Sequence, residues 1–126
     1  MGKLMARGFL GLCGVMALGL FSLVWFDLPR FGAVLGPVAP SPLAAATLRA
    51  DAGGFFATWA VGALFAAVQD DRRIALLPML LLGFAFAGRF YTYLITGDPA
   101  IVQPMTVEAV LCGLIGIARL QLGARS

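Results

Sequence analysis

The chain has 126 residues, 61% of them hydrophobic and only 12% charged, with a mean hydropathy of +0.96, nine Lys and Arg against six Asp and Glu, and no histidine. Soluble domains run at about 45–50% apolar and about 25% charged residues, so an ordinary water-soluble fold is excluded and one small membrane-embedded domain is expected. The net charge of +3 is scattered rather than clustered, which excludes a nucleic-acid patch and suits membrane topology instead.

Four apolar stretches follow one another along the chain, each long enough to cross the ~30 Å hydrocarbon layer as a helix of about 20 residues. The first spans residues 8–26 and carries no charge. Lys3 and Arg7 ahead of it resemble the basic start of a signal peptide, but the run of about 19 residues exceeds the ~7–15 of such a segment, so a retained helix is expected. The myristoylation pattern is incomplete, because Ala6 stands where Ser or Thr is needed. Residues 27–43 hold Pro29, Pro37, Pro40 and Pro42 with Gly32 and Gly36, a composition that no continuous helix tolerates.

The second helix is expected over residues 44–68. A stripe of small residues at four-residue spacing, Ala50, Gly54, Thr58, Gly62 and Ala66, marks a face along which another helix can approach closely. Trp59, near its middle, either fills the bundle interior or faces a cavity. Asp70-Asp71-Arg72-Arg73 then forms a polar turn, and the third helix spans 74–95, with Pro78 one turn in and shorter small-residue faces at Gly83 and Ala87. Gly97-Asp98-Pro99 stops it. The fourth helix spans 101–122, with Ala109 and Gly113 as its small face. The expected fold is therefore an all-α, integral membrane four-helix bundle in a single domain covering residues 1–126.

Sidedness follows from the basic residues. With both termini cytoplasmic, Lys3, Arg7, Arg72, Arg73, Arg119 and Arg125 lie inside and only Arg30, Arg49 and Arg89 outside, six against three. Trp25, Phe26, Phe90, Tyr91 and Tyr93 then collect toward the outer interface, where amphipathic rings settle.

Four charges fall within or at the edges of the apolar stretches: Arg49, Asp51, Arg89 and Glu108. Charges in lipid are costly, so such residues are paired, interfacial or functional. On the expected topology all four sit at comparable depth in the outer leaflet, on three helices, with balanced signs. Arg89 with Glu108 is the best single pair, because consecutive antiparallel helices are neighbours. Arg49 and Asp51 are two residues apart and point to opposite faces, so at most one reaches that pair while the other joins as a second partner or snorkels. The cluster reads either as a register-fixing salt-bridge network or as the lining of an outward-facing polar cavity. Cys13 and Cys112 have no CxxC partner, and no metal site, phosphate loop or nucleophile–base pair is present, so no catalytic residues are assigned and the chain reads as a non-enzyme.

The segment Leu48-Arg49-Ala50-Asp51-Ala52-Gly53-Gly54-Phe55, the Arg72-Arg73 pair, Gly88-Arg89, Gly97-Asp98-Pro99 and Glu108 together resemble the bacterial DUF4345 family of small four-helix membrane proteins of unknown function. The resemblance covers the chain from Leu43 onward, and the first helix matches in hydropathy alone. In outline the chain is also similar to DoxX-type membrane proteins. The resemblance implies a multi-pass protein of the bacterial inner membrane and marks Arg49, Asp51, Arg89 and Glu108 as characteristic polar residues. It implies no reaction. The first functional expectation is a structural or accessory subunit of a larger membrane complex, respiratory or photosynthetic, partnered by lipids and other integral membrane subunits. The alternative is a binding protein or small transporter for a lipid, quinone or other amphiphile at the polar cluster. No cofactor beyond such a bound lipid or quinone is expected.

Overall fold

A computed structural model describes residues 2–123 as an all-α chain in which four helices are long and apolar enough to cross a membrane. The chain is a multi-pass membrane protein. The long helices are α1 (Gly2–Phe26), α3 (Pro42–Gln69), α4 (Leu76–Thr96) and α5 (Val102–Gln121), joined by a short α2 (Leu28–Leu35) and by a 3₁₀ turn at Pro99–Ile101. Arg125, counted above among the inside charges, lies outside the described residues.

The long helices run up and down in turn, and their contacts close a ring: α1 packs most extensively on α3, α3 on α4, α4 on α5, and α5 back on α1. The α1–α3 seam has a sequence cause. On α3 the buried positions Gly53, Phe56, Ala60, Ala63 and Ala67 recur at alternating spacings of three and four, the repeat that keeps one face toward an antiparallel neighbour. Ala6, Leu10, Cys13, Gly14, Ala17 and Val24 answer from α1, and Leu10, Ala17 and Val24 are fully buried. Glycine matters where the backbones meet closest. A Cβ on Gly14 would lie 2.6 Å from Leu64 Cγ, and one on Gly53 would lie 2.6 Å from Trp25 Nε1.

The small-residue stripe is only half used. Gly62 and Ala66 are buried, and a Cβ on Gly62 would lie 3.0 Å from Pro78 Cδ of α4. Ala50, Gly54 and Thr58 are exposed, and nothing lies within 4 Å of a Cβ built on Gly54. The cause is geometric: at about 100° per residue, steps of four turn the stripe by about 40° each, so it winds about 160° around the helix from Ala50 to Ala66. The shorter faces divide similarly. Gly83 meets Cys112 Sγ, 3.8 Å from its built Cβ, while Ala87, Ala109 and Gly113 are exposed.

The prolines between α1 and α3 start helices as well as stopping them. Asp27 caps α2, its carboxylate accepting from Arg30 N at 3.3 Å, and Pro29 occupies the first turn, where no donor is lost. Phe31 is driven under the segment, 2% exposed, edge-on to Phe56 at 6.0 Å. Gly36, at φ 99°, ends α2. Pro42 likewise opens α3 behind the Ser41 cap, and Pro78 falls in the first turn of α4, fully buried. Hydroxyls inside the spans satisfy themselves by bonding the carbonyl four residues back, as Ser22, Thr47, Thr92 and Thr106 do at 2.8–3.0 Å.

One end of the bundle carries Lys3, Arg7, Arg72, Arg73 and Arg119, and the side chains of Lys3, Arg7 and Arg119 clasp it. Arg7 Nε donates to Ala67 O at 2.6 Å and Arg7 Nη2 to Val68 O at 3.2 Å, covering the free carbonyls at the end of α3. Arg119 Nε donates to Arg72 O at 2.9 Å. Asp70, left-handed at φ 54°, binds Lys3 Nζ at 2.8 Å and accepts from Gly123 N at 3.0 Å. The Lys3 hydrogen bond, followed by the Gly123 backbone bond, holds the Asp70 carboxyl below the usual aspartate range.

Candidate functional site

The far end of the bundle is less tightly closed. Here the end of α4 and the start of α5 bring Arg89 and Glu108 together, and Arg89 Nε donates to Glu108 Oε1 at 2.6 Å. Arg89 stands seven residues before the end of α4 at Thr96, about 10 Å along the axis. The connection through Gly97, at φ 66°, and the 3₁₀ turn capped by Asp98 is short enough to hold both residues at one depth. Glu108 is the one charged residue among those described that is buried, at 8% exposure, whereas the Arg89 side chain is 36% exposed.

The other two charges do not join them. Arg49 is exposed and donates through Nε to Trp25 O at 3.1 Å, covering a carbonyl at the end of α1. Asp51 is exposed and forms no ion pair among the described residues. The expected four-charge cluster is thus a two-residue pair plus two exposed side chains. Both sit in the N-terminal third of α3, where a polar side chain reaches the end of the helix more cheaply than it crosses the bundle.

Beside the pair lies a cavity of about 520 Å³, walled by α1, α3, α4 and α5 and covered by the end of α2. Met16, Leu20, Phe55 and Leu111 give it apolar walls, and Trp59, Arg89, Gln103 and Glu108 supply its polar groups. Trp59 is 3% exposed and locked by Phe55 and Phe56, at ring-centroid distances of 6.4 and 6.0 Å. Two of the lining residues each carry a buried polar atom without a partner: Trp59 Nε1, a donor, and Glu108 Oε2, an acceptor. Unpaired buried polar atoms cost about 1–3 kcal/mol each, and more when charged, so two on residues lining one cavity require an explanation. Trp59 therefore fills core and faces a cavity at once. A second cleft of about 630 Å³ runs between α2 and the start of α3, with Arg49 on its lining. No buried polar atom without a partner faces it.

Met16, Leu20 and Gln103 were not singled out by sequence, and Phe55 entered only as the last residue of the Leu48–Phe55 motif. The Phe55-Phe56-x-x-Trp59 spacing, which puts three rings on adjoining helix positions, was the available signal. Cys13 is buried and Cys112 half-buried, its Sγ 3.4 Å from Met79 O; both are free thiols. Among the described residues no group of metal-ligating side chains assembles.

The fold and site thus define a small four-helix polytopic membrane protein with a partly open, mixed-polarity cavity at one end. Comparison with protein-family models, with curated proteins and with solved structures finds no match.

Proposed function

We propose that this protein is a non-catalytic binding protein, or small carrier, for an amphiphilic ligand held in the cavity beside Arg89 and Glu108. The observation that carries the proposal is one mainly apolar cavity whose lining includes the Arg89–Glu108 pair and Trp59, with a buried polar atom left without a partner on each of Glu108 and Trp59. Ligand sites have this character: mainly apolar walls with a few fixed polar groups. The cavity's size, about 520 Å³, lies within the range of such sites, about 300–1,000 Å³. Residence in a bacterial inner membrane with both termini cytoplasmic belongs to the same proposal. Its supports are the DUF4345 likeness and the clasp of basic residues at the terminal end. The test is native mass spectrometry of the protein released from its own membrane. A small-molecule adduct is expected on the native protein and lost from Trp59→Phe and Glu108→Gln. A bare native protein would overturn the proposal.

A second reading, an accessory subunit of a larger membrane complex, has its own observation. Ala50, Gly54 and Thr58 form an exposed small-residue face on α3, the kind of surface on which another membrane helix packs. Co-purification with a larger assembly in mild detergent, abolished by Gly54→Leu, is its expected outcome. A monodisperse free species would count against it.

A further inference from the structure

The short helix α2 lies between two hollows, and its placement bears on how the cavity is reached, on the reading that the cavity takes a ligand. Ala33, Val34, Leu35 and Gly36, at the end of α2, cover the cavity of about 520 Å³. On its other side α2 borders the cleft of about 630 Å³, which Leu28, Pro29 and Gly32 line together with Ala45 and Leu48 of α3. Ala33 lines both hollows. We propose that α2 is a rocking lid: seated as here it covers the cavity, and tilted into the cleft against α3 it uncovers it.

Little holds α2 in its seat. The bonds it makes stay within the helix and its cap: Phe31 N to Asp27 O, Gly36 N to Gly32 O, and Arg30 to the Asp27 carboxylate. No hydrogen bond or ion pair among the described residues ties residues 28–40 to another helix. Eight residues are too few for a helix to be stable by itself, so its position rests on packing. Phe31 is its one buried residue, edge-on to Phe56, while Leu28 and Leu35 are half-buried. A single central anchor makes a pivot. The ends suit a hinge, since Gly36 at φ 99° turns the chain where glycine does so at low cost, and hinges are a few residues at element ends. The tilt exchanges one apolar seat for another. No buried polar atom without a partner faces the cleft, and Arg49, its one charged residue, is held by Trp25 O at 3.1 Å. Two seats for one helix make a two-state element, whose balance a ligand in the cavity would shift.

Access is read by the reactivity of a thiol on the cavity lining. Leu111→Cys supplies it in a background without the native thiols, Cys13→Ala with Cys112→Ala, and its reaction rate with a small water-soluble methanethiosulfonate is measured in nanodiscs. Phe31→Ala removes the anchor and is expected to raise that rate about tenfold, because the rate follows the open population. Ala45→Phe fills the cleft, removes the open seat and is expected to lower the rate about tenfold. Cys112→Ala alone keeps the buried Cys13, which should stay unreactive beside either substitution; its labelling would mark unfolding. Should Phe31→Ala unfold the protein, the Ala45→Phe arm decides alone. A Leu111→Cys rate that neither substitution moves, or that both move in the same direction, would overturn the lid, whether or not the native protein carries a small-molecule adduct. The expected pair of rate changes on a protein that carries no adduct would overturn the binding reading and leave the lid.

Discussion

Removing Arg89 leaves Glu108 as a buried carboxylate without a counter-charge, a more damaging state than losing both. Arg89→Met is expected to destabilise the bundle by about 3 kcal/mol. That is the low end of the range for a broken buried pair, because the Arg89 side chain is 36% exposed. The double variant Arg89→Met, Glu108→Leu should recover most of that loss in thermal or denaturant unfolding in detergent; a double variant as unstable as the single one would show that the pair is worth far more than its desolvation. Trp59 makes the opposite case. Its indole N–H has no partner, so Trp59→Phe removes a cost along with some packing area, and stability should change by no more than about 1 kcal/mol. Loss of ligand with stability retained would separate binding from folding at a single side chain. The Arg89–Glu108 pair was legible in the sequence, since a short connection between antiparallel helices makes neighbours of residues at equal depth. The unpaired atoms were not, because whether a second carboxylate oxygen meets a partner depends on rotamers and on a void that no spacing encodes.

The helices themselves were written plainly in hydropathy, because about 20 apolar residues between polar turns admit few other structures in lipid. Their faces were harder to read. The four-residue stripe on α3 attracted notice as a repeat, but the face that packs follows the three-four alternation through Gly53, Phe56, Ala60, Ala63 and Ala67. The two patterns cross at the level of Gly62 and Ala66. Substitution distinguishes them. Gly62→Ala pushes a methyl toward the Pro78 ring at 3.0 Å and Leu77 Cβ at 3.1 Å, neither of which swings aside, and should cost about 1–3 kcal/mol in unfolding experiments. Gly54→Ala meets open space and should be neutral, or stabilising by up to about 1 kcal/mol through helix preference. The short α2 was read as loop because prolines were counted as breakers. Its Asp27 cap, Pro29 in the first turn and Gly36 at the end form a start-and-stop pattern in eight residues, too few for periodicity to register.

At the scale of the whole molecule, Asp70 joins three segments: the N-terminal turn through Lys3, the α3–α4 turn it belongs to, and the end of α5 through Gly123. Its carboxyl is held below the ordinary aspartate value of 3.8, so the charged form is favoured by folding. The stabilisation is fully present above that value and is lost as pH falls below it through the folded-state pKa. Asp70→Asn keeps the left-handed backbone, which asparagine tolerates, and should abolish this acid-dependent part of the melting profile. A variant with an unchanged acid limb would show that other carboxylates set it. Sidedness is tested separately in a cysteine-free background: an impermeant maleimide is expected to label Ser41→Cys from outside intact spheroplasts and to reach Arg73→Cys only after permeabilisation. Finally, the basic side chains that bias insertion are the same ones that clasp the finished bundle, Lys3 on Asp70, Arg7 on Ala67 and Val68, and Arg119 on Arg72. Those bonds lie within the protein and form whichever way the chain crosses the bilayer. Folding therefore cannot proofread orientation here: a molecule threaded upside down would assemble as well as a correct one, and the choice has to be made once, during insertion.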